Sequence, residues 1–421
     1  VRIAFLPLLL TTLSWLAPTL RAQDPADPLG QEPVVGVFLA SGPSLSIRLA
    51  ETAVLELGGR TQNLAPGSHT LERTPTGFAF AGRRGGVDRE AVIRTGGRPI
   101  VRLDAQPVFG APRTLLLAGD LRLRVSGETV EVIEELPMER YIASVVIGEM
   151  SARWPAPALA AQAIVARSYA AARWLERRDQ PWQLHWHFGV DMAYAGWTQD
   201  LGKVAKAIAP TRGEMLVFRG LPVLALFHAS SGGRTEAFER VKPGVLGPDG
   251  KTSIAAAMPV VEDGAALAGA AGLNLEASHG HWKLDLPLPE VTEALAAWSA
   301  AQAGRPAFGT VEGVSVEERH DDSGRVATVA VRHRLDGQTR FTHLAGTDFR
   351  LALGPVRVRS LLWDRCVVAS KAPGYLVIEG RGFGHGCGLS QVSAWQLAKA
   401  GESPEAIVAR FYAGARIEKH Y

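Results

Sequence analysis

Hydrophobic and polar residues alternate along this chain with two different periods, and the change of period divides it. From Pro33 to about Gly127 the apolar stretches VVGVFLA, LSIRLA, TAVLELGG, GFAFAG, RPIVRLDA, RTLLLAG and LRLRVSG follow one another with Gly and Pro between them. Short runs at a spacing of about ten residues with turn signals predict an antiparallel β-rich region. It carries no cluster of His, Cys or acid, which gives it a supporting role. One more strand is predicted from Thr129 to Glu135. Pro137 then suits the first turn of a helix running to about Gly148, and Pro155 and Pro157 punctuate the chain before a second helix over about Ala158 to Arg178. Strand patterns return at Leu221–His228 and across Thr310–Ser370, where Ser323-Gly324 makes a turn. Amphipathic helices after Gln391 and from Ser403 to Tyr412 close the chain, while residues 243–310, rich in Ala, Gly and Pro, give no assignment. The expected fold class is α+β: a β-rich N-terminal region followed by a mixed α+β domain with a cleft.

The first residues stand apart from that pattern. Arg2 precedes an apolar run from Ile3 to Ala17, and Leu20-Arg21-Ala22 ends in a small residue before Gln23. These are the charged, apolar and small-residue regions of a secretory signal, and the run is short for a membrane span. The expectation is export to the periplasm, cell wall or medium after removal of residues 1–22, with a retained N-terminal anchor as the alternative. Residues 23–32, rich in Pro, Asp, Gly and Gln, read as a linker. No second apolar segment is long enough to cross a membrane, so no stable transmembrane anchor is expected.

Composition changes this picture little. With 421 residues, 47% hydrophobic and 21% charged, the chain has material for two or three domains and an ample core. Removing residues 1–22 takes two arginines and no acid, lowering the formal net charge from +3 to +1. No dense Lys/Arg block is present, so nucleic acid is not an expected partner. The 2 cysteines, Cys366 and Cys387, cannot form a disulfide framework for a chain of this size, and whether they pair is open. They lack the spacing of a zinc site.

Candidate chemistry gathers in three places. Glu149 follows Val145-Val146-Ile147 and stands beside Met150 and Trp154. A carboxyl group so enclosed is poorly solvated, which moves it toward a range where it can both give and take a proton. The plain alternative is a solvated helix-end acid. In the Ala-rich helix that follows, Gln162, Tyr169 and Arg173 fall on nearly one face, either lining a cleft beside Glu149 or facing solvent. At the end of the Leu221–His228 strand, Ser230-Ser231-Gly232-Gly233 reads as a tight turn whose hydroxyls and bare backbone suit sugar hydroxyls. A serine-hydrolase reading with His228 is weaker, because no G-x-S-x-G elbow is present. Finally, GRGFGHGCGLSQ has glycine at 380, 382, 384, 386 and 388. In an extended chain all five point one way, leaving a face that another backbone or a sugar ring can approach closely. No phosphate-cradle spacing fits. His385 is the best-placed polar group there.

Taken together and in order, these motifs resemble the sporulation stage II protein D / LytB amidase-enhancer family. The resemblance rests on Leu136-Pro137-Met138-Glu139-Arg140-Tyr141, Gly148-Glu149-Met150, the Leu159–Ala170 helix, Ser230-Ser231-Gly232-Gly233-x-Thr235-Glu236, and Gly382 through Gln391, and it spans Glu135–Ile417. It implies a catalytic domain over 128–421, behind the β-rich region 33–127, acting as a lytic transglycosylase on peptidoglycan glycan strands with Glu149 as the single acid/base. Gln162, Arg167, Tyr169, Ser230, Ser231, Gly232, His385 and Gln391 would be substrate-binding residues by motif position. No cofactor is implied. Some relatives carry a Cys-Asp-Thr-Thr-His-Cys metal segment; here the corresponding residues are Gly189-Val190-Asp191-Met192-Ala193-Tyr194, so no metal is expected. Phe383 and Leu389 stand where Trp and Met are commoner, and the segment after Glu239 departs from the usual pattern. The competing implication is a non-catalytic binding partner that activates a cell-wall amidase.

Overall fold

Apolar residues at every second position build strands in the first third of the chain, and the burial alternates with them. In the computed structural model, which describes residues 29–80, 89–108, 110–266, 268, 280–369 and 374–421, these are β1 Val34–Gly42, β2 Ser44–Leu49, β3 Ala53–Leu57, β4 Arg60–Leu64, β5 Gly67–Thr74, β6 Gly77–Phe80, β7 Glu90–Arg94, β8 Val101–Ala105, β9 Arg113–Leu117, β10 Asp120–Ser126 and β11 Thr129–Pro137. Leu121, Leu123 and Val125 of β10 are buried while the residues between them are partly exposed, the signature of a strand with one face on a core. The signal-like run Ile3–Ala17 lies outside the described residues. Among the described residues no helix is long and apolar enough to cross a membrane.

The chain forms two compact units. The first contains Leu29–Leu226, Gly244–Ala257 and Leu397–Tyr421; the second contains Phe227–Pro243 and Met258–Gln396. In the first unit a seven-stranded sheet has the order β12-β1-β11-β10-β7-β3-β4, where β12 is Leu184–His185, and a five-stranded sheet has the order β6-β5-β2-β8-β9. The expected boundary at 127/128 falls inside the β10–β11 hairpin, where Ser126 pairs with Thr129. The β-rich region and the first helices therefore share one unit. Of the expected linker 23–32, residues 23–28 lie outside the described residues, and the rest is packed: Leu29 is buried against Ala171, Met215 and Val217, and Glu32 accepts the Glu139 N–H at 2.9 Å.

Three helices follow the strands in this unit: α1 Met138–Glu149, α2 Ala156–Glu176 and α3 Leu201–Ile208. Pro137 and Pro155 sit at the N-caps of α1 and α2, where a missing N–H costs nothing. The run Ala158–Ala172 is buried without a break, so this part of α2 is enclosed on every side, and its alanines let neighbours approach closely. The solvated-face alternative for its polar residues does not hold. Arg167 shows what this burial demands. Its guanidinium, 0% exposed, meets Glu139 through two bonds of 2.7 and 2.9 Å and donates to the Glu214 carbonyl at 2.6 Å. Tyr421 donates to the same carboxylate at 2.8 Å. Burial alone would raise the Glu139 pKa; the Arg167 hydrogen bonds and charge outweigh it and hold the carboxyl below its usual value. Arg167, expected in the cleft, is thus the buried partner of Glu139 that ties the start of α1 to α2, because an arginine on an enclosed helix has to be paired.

The second unit is built on strands His281–Pro287, Tyr375–Arg381 and Trp363–Ala369, and on the meander Thr310–Arg319, Val326–Leu335 and Gln338–Ala345. Helices Leu288–Ala300 and Gly346–Leu353 carry Val291, Leu295 and Phe349 into one core with Val329, Val331 and Ile378. The predicted Leu221–His228 strand is not continuous. Leu221–Pro222 and Phe227–His228 are separate short strands, and the break between the two units falls at Leu226/Phe227. A run of apolar residues there marks a crossing between cores, which periodicity alone cannot tell from a buried strand.

Candidate active site

Glu149 is the last residue of α1 and is half-buried. Its Oε1 accepts the backbone N–H of Ala193 at 2.7 Å. The residue before it explains how that loop comes so close: a Cβ on Gly148 would lie 2.1 Å from the Ala193 carbonyl oxygen. Gly148 therefore does more than weaken the helix. It lets one residue of the 185–197 segment press its carbonyl on the helix end and hold the carboxylate with its N–H.

That segment is fixed by a buried acid. The Asp191 side chain is 0% exposed; Oδ1 accepts from the Tyr169 hydroxyl at 2.9 Å, and Oδ2 accepts from Arg177 at 3.0 Å and from the His185 N–H at 2.8 Å. The Arg173 guanidinium stands 3.4 Å from Oδ1. Further along, the Tyr194 hydroxyl donates to buried Glu134 at 2.8 Å, and the Gly196 carbonyl accepts from Ser144 of α1 at 2.7 Å. Burial pushes the Glu134 carboxyl above its ordinary pKa despite the N–H groups of Gly119 and Ala118. The Tyr141 hydroxyl is sealed from solvent and has no hydrogen-bond partner among the described residues. Desolvation, then the charges of Asp191, Tyr169 and Glu149, raise it well above a phenol's usual pKa, so Tyr141 remains a neutral donor beside the two acids.

Of the polar residues expected on α2, Tyr169 and Arg173 belong to the Asp191 cluster. Gln162 lies seven residues before Tyr169 on the same face; it is 0% exposed, and neither amide atom has a partner among the described residues. A buried amide left unbonded is unusual. Asp191, Glu134 and Tyr141 were not singled out from sequence. Asp191 stood in plain view in GVDMAY, but only its contacts reveal that it is enclosed.

The second unit holds the other motif residues. Ser230 and Phe383 exchange backbone hydrogen bonds of 3.0 and 2.8 Å, and Phe227–His228 pairs in parallel with Leu389–Ser390. The serine-glycine turn and the glycine-rich segment are thus brought together, as their separate readings did not anticipate. Their side chains point inward. Ser231 and Ser393 both donate to Asp263, at 2.6 and 2.7 Å, and Ser230 and Ser231 are 1% and 0% exposed. Neither serine hydroxyl pairs with His228, whose Nδ1–H donates to the Cys387 carbonyl at 3.1 Å. Gln391 opens the helix Gln391–Lys399, is 6% exposed, and leaves its amide nitrogen unpartnered.

The glycine-rich segment is not an extended chain with one bare face. Gly382, Gly384, Gly386 and Gly388 all have positive φ, between 71° and 115°. Added Cβ atoms would strike Trp282 at Gly380, the Ser230 carbonyl at Gly382, His228 at Gly384 and the Arg325 guanidinium at Gly386. Of the two expected occupants, another backbone or a sugar ring, the protein's own backbone and side chains fill this space. Gly232, with φ of 72°, likewise has no room for a Cβ beside Arg381. His385 is half-buried, and its Nδ1 accepts the Cys387 N–H at 3.0 Å. Desolvation, then Arg350 and Lys242, lowers its pKa from 6.5 to about 3; His228 is depressed by burial as well. Both imidazoles are neutral at physiological pH, with ring centres 5.5 Å apart. Cys366 and Cys387 are free thiols.

Residues 126–218, wholly within the first unit, match the family model of the stage II sporulation protein, SpoIID, and residues 265–388 match a domain of unknown function, DUF8618. An uncharacterized protein of Brachyspira hyodysenteriae is 27% identical over 304 residues, covering 71% of each chain. Proteins named Stage II sporulation protein D are similar too: that of Bacillus amyloliquefaciens is 26% identical over 68% of this chain and 76% of its own length, and that of Bacillus subtilis 25% over 72% and 81%.

Two predictions follow from this geometry. Gly148→Ala forces a Cβ against the Ala193 carbonyl and should cost about 1–3 kcal/mol, the usual scale of overpacking. Denaturant unfolding would measure it together with near-UV dichroism of the loop tryptophans, and an unchanged midpoint and spectrum would refute the clamp. The second concerns acid. His385 and His228 stay neutral when folded, whereas the unfolded chain binds protons below about pH 6.5, so stability falls as pH drops and goes on falling toward the folded value near 3. His185, lowered to about 4 by burial, acts in the same direction in the first unit. The unfolding midpoint should decrease between pH 7 and pH 5, above the carboxylate range, and the decrease should be smaller in His385→Gln; a flat profile in the unsubstituted protein would contradict it.

Proposed function

From the premise that this chain carries a SpoIID domain at residues 126–218, we propose that it is an exported peptidoglycan lytic transglycosylase that cuts glycan strands to 1,6-anhydro-muramic ends, with Glu149 as its one acid/base. The observation that carries this reading is the Ala193–Glu149 clamp. Oε1 accepts a backbone N–H at 2.7 Å, so the proton for the leaving group rides on the other oxygen. Glu149 gives that proton to the glycosidic oxygen as its bond to the muramic C1 breaks. The 6-hydroxyl of the same muramic sugar closes on C1, and its proton returns to Glu149. No water is consumed, and the carboxylate ends as it began.

A hydrolase would need a second carboxylate as nucleophile or base. Asp191, whose charge reaches the same Tyr141 hydroxyl as that of Glu149, is enclosed and paired with Tyr169 and Arg177, which favours the one-carboxylate chemistry. Gln162 keeps its proposed substrate-binding role by motif position alone, since its amide is enclosed. Export rests on the Arg2 and Ile3–Ala17 pattern. Peptidoglycan strands are the proposed substrate, and a wall amidase that follows on the same strands is the proposed partner.

Glu149→Gln keeps the size of the side chain and its acceptor for Ala193 but removes the proton. Glycan binding should persist while cleavage falls about 100-fold or more, and mass spectrometry of the wild-type digest should find anhydro-muramic ends. Reducing ends would indicate hydrolysis. If the wild type cuts no glycan yet accelerates an amidase, and the Gln form does so equally, the activating role is correct instead. Expression of the whole chain should yield a mature protein beginning near Gln23 outside the cytoplasm; a stable cytoplasmic form retaining residue 1 would contradict export.

A further inference from the structure

The loop that holds Glu149 also forms one wall of a pocket that no motif pointed to. Its lining combines Trp186, His187, Phe188, Ala193 and Tyr194 with Pro107 and Ala111 of the β8–β9 connection and Arg113, the first residue of β9. The aromatic rings pack against one another: Trp186 and His187 meet edge-on with centroids 5.3 Å apart, and His187 and Phe188 are tilted at 4.5 Å. Trp186 and His187 are buried, and burial keeps the His187 ring neutral, so they form a rigid support. Phe188 on top of them is 53% exposed. The first unit has five large hydrophobic side chains exposed among its described residues, and three of them, Val108, Phe188 and Val190, belong to these two loops. Arg113 is exposed at the same pocket, and among the described residues it has no acidic partner. None of the described residues lining the pocket is an acid.

Exposed aromatic surface held on a stiff base, with one unpaired guanidinium at its edge, fits a ring that is apolar on its face and anionic at a substituent. Ala193 links the pocket to the chemistry, because it lines the pocket and its N–H holds the Glu149 carboxylate. Resting on the glycan-cutting reading above, we propose that this pocket is a subsite for a muramic residue of the strand, its ring on Phe188 and a carboxylate of its lactyl arm or attached peptide on Arg113. The uncharged N-acetylglucosamine residues of the strand have no anionic group for Arg113, so the pocket sets the register in which the strand enters.

Calorimetric binding to the full mature chain carrying Glu149→Gln, so that nothing is cut, tests this. The probes are a neutral chitotetraose, a peptide-free tetrasaccharide of alternating N-acetylglucosamine and N-acetylmuramic acid, and the same tetrasaccharide bearing its peptides. Arg113→Gln should weaken the muramic probes about tenfold or more, the scale of a lost charge-assisted bond, and leave chitotetraose unchanged. Arg113→Lys should restore part of the loss. Phe188→Ala should weaken all three. Loss confined to the peptide-free probe assigns the contact to the lactyl carboxylate, and loss confined to the peptide-bearing probe assigns it to the peptide; either supports the subsite. If both variants bind all probes as the parent does, the subsite is wrong while the proposed function stands. If the parent binds none of the probes, both fall.

Discussion

A carboxylate taken wholly out of water must be surrounded by donors, and in this protein the site is built around that requirement at Asp191. Tyr169 and Arg177 hydrogen-bond to it, Arg173 adds a close positive charge, and the His185 N–H completes the set. The donors come from α2 and from the loop itself, so satisfying Asp191 fixes the loop against the helix. Ala193, two residues on, inherits that position. Its N–H then meets Glu149 and its carbonyl meets Gly148. Removing one partner of such a cluster leaves a charge uncompensated, which is far costlier than losing an exposed pair. The stiffness of the candidate catalytic group is therefore inherited from an ion cluster that does not itself react.

Much of this was legible in the sequence, and the failures have physical causes. The β-rich region, α1, α2, the Ser323-Gly324 hairpin and the closing helices follow from period, Pro and Gly, because local geometry decides them. Glu149 was found because an acid among Val, Ile and Met conflicts with its surroundings. Asp191 and Asp263 escaped because nothing local sets them apart from surface acids. Only the tertiary fold encloses them, Asp191 among arginines and Asp263 between Ser231 and Ser393. Arg167 was assigned to the cleft from its motif, and its true partner, Glu139, lies 28 residues earlier on another helix. Periodicity placed Gln162 and Tyr169 on one face of α2 correctly. It could not tell that every face of that part of the helix is inside.

The glycine-rich segment of the second unit shows the same limit from another side. Alternating glycines in an extended chain would bare one face, but positive φ at Gly382, Gly384, Gly386 and Gly388 turns the backbone away from that geometry. Each missing side chain is replaced by something specific. The most demanding is the Arg325 guanidinium at Gly386, which donates to the Ser231 and Arg234 carbonyls at 2.8 and 2.9 Å and is pushed down to about 10 by desolvation. The glycines are needed because the serine turn, two histidines and a buried arginine occupy the volume around them. Depressed imidazole pKa values are the electrostatic face of that packing.

The arrangement around Glu149 meets a demand of the proposed chemistry. A single carboxylate that donates a proton and later recovers one has to keep its two oxygens distinct throughout, since the oxygen that carries the proton must face the leaving group at the first step and the attacking hydroxyl at the second. In a freely rotating glutamate at a helix end the oxygens exchange, and the proton is aimed correctly for only part of the time. One backbone N–H on Oε1 breaks that equivalence without adding a titrating group, because an amide does not change its charge with pH. A lysine or arginine in the same place would break it too, but its charge would hold the carboxyl ionised and remove the acid. The glycine before the carboxylate and the enclosed aspartate beyond it are what allow a neutral donor to do this.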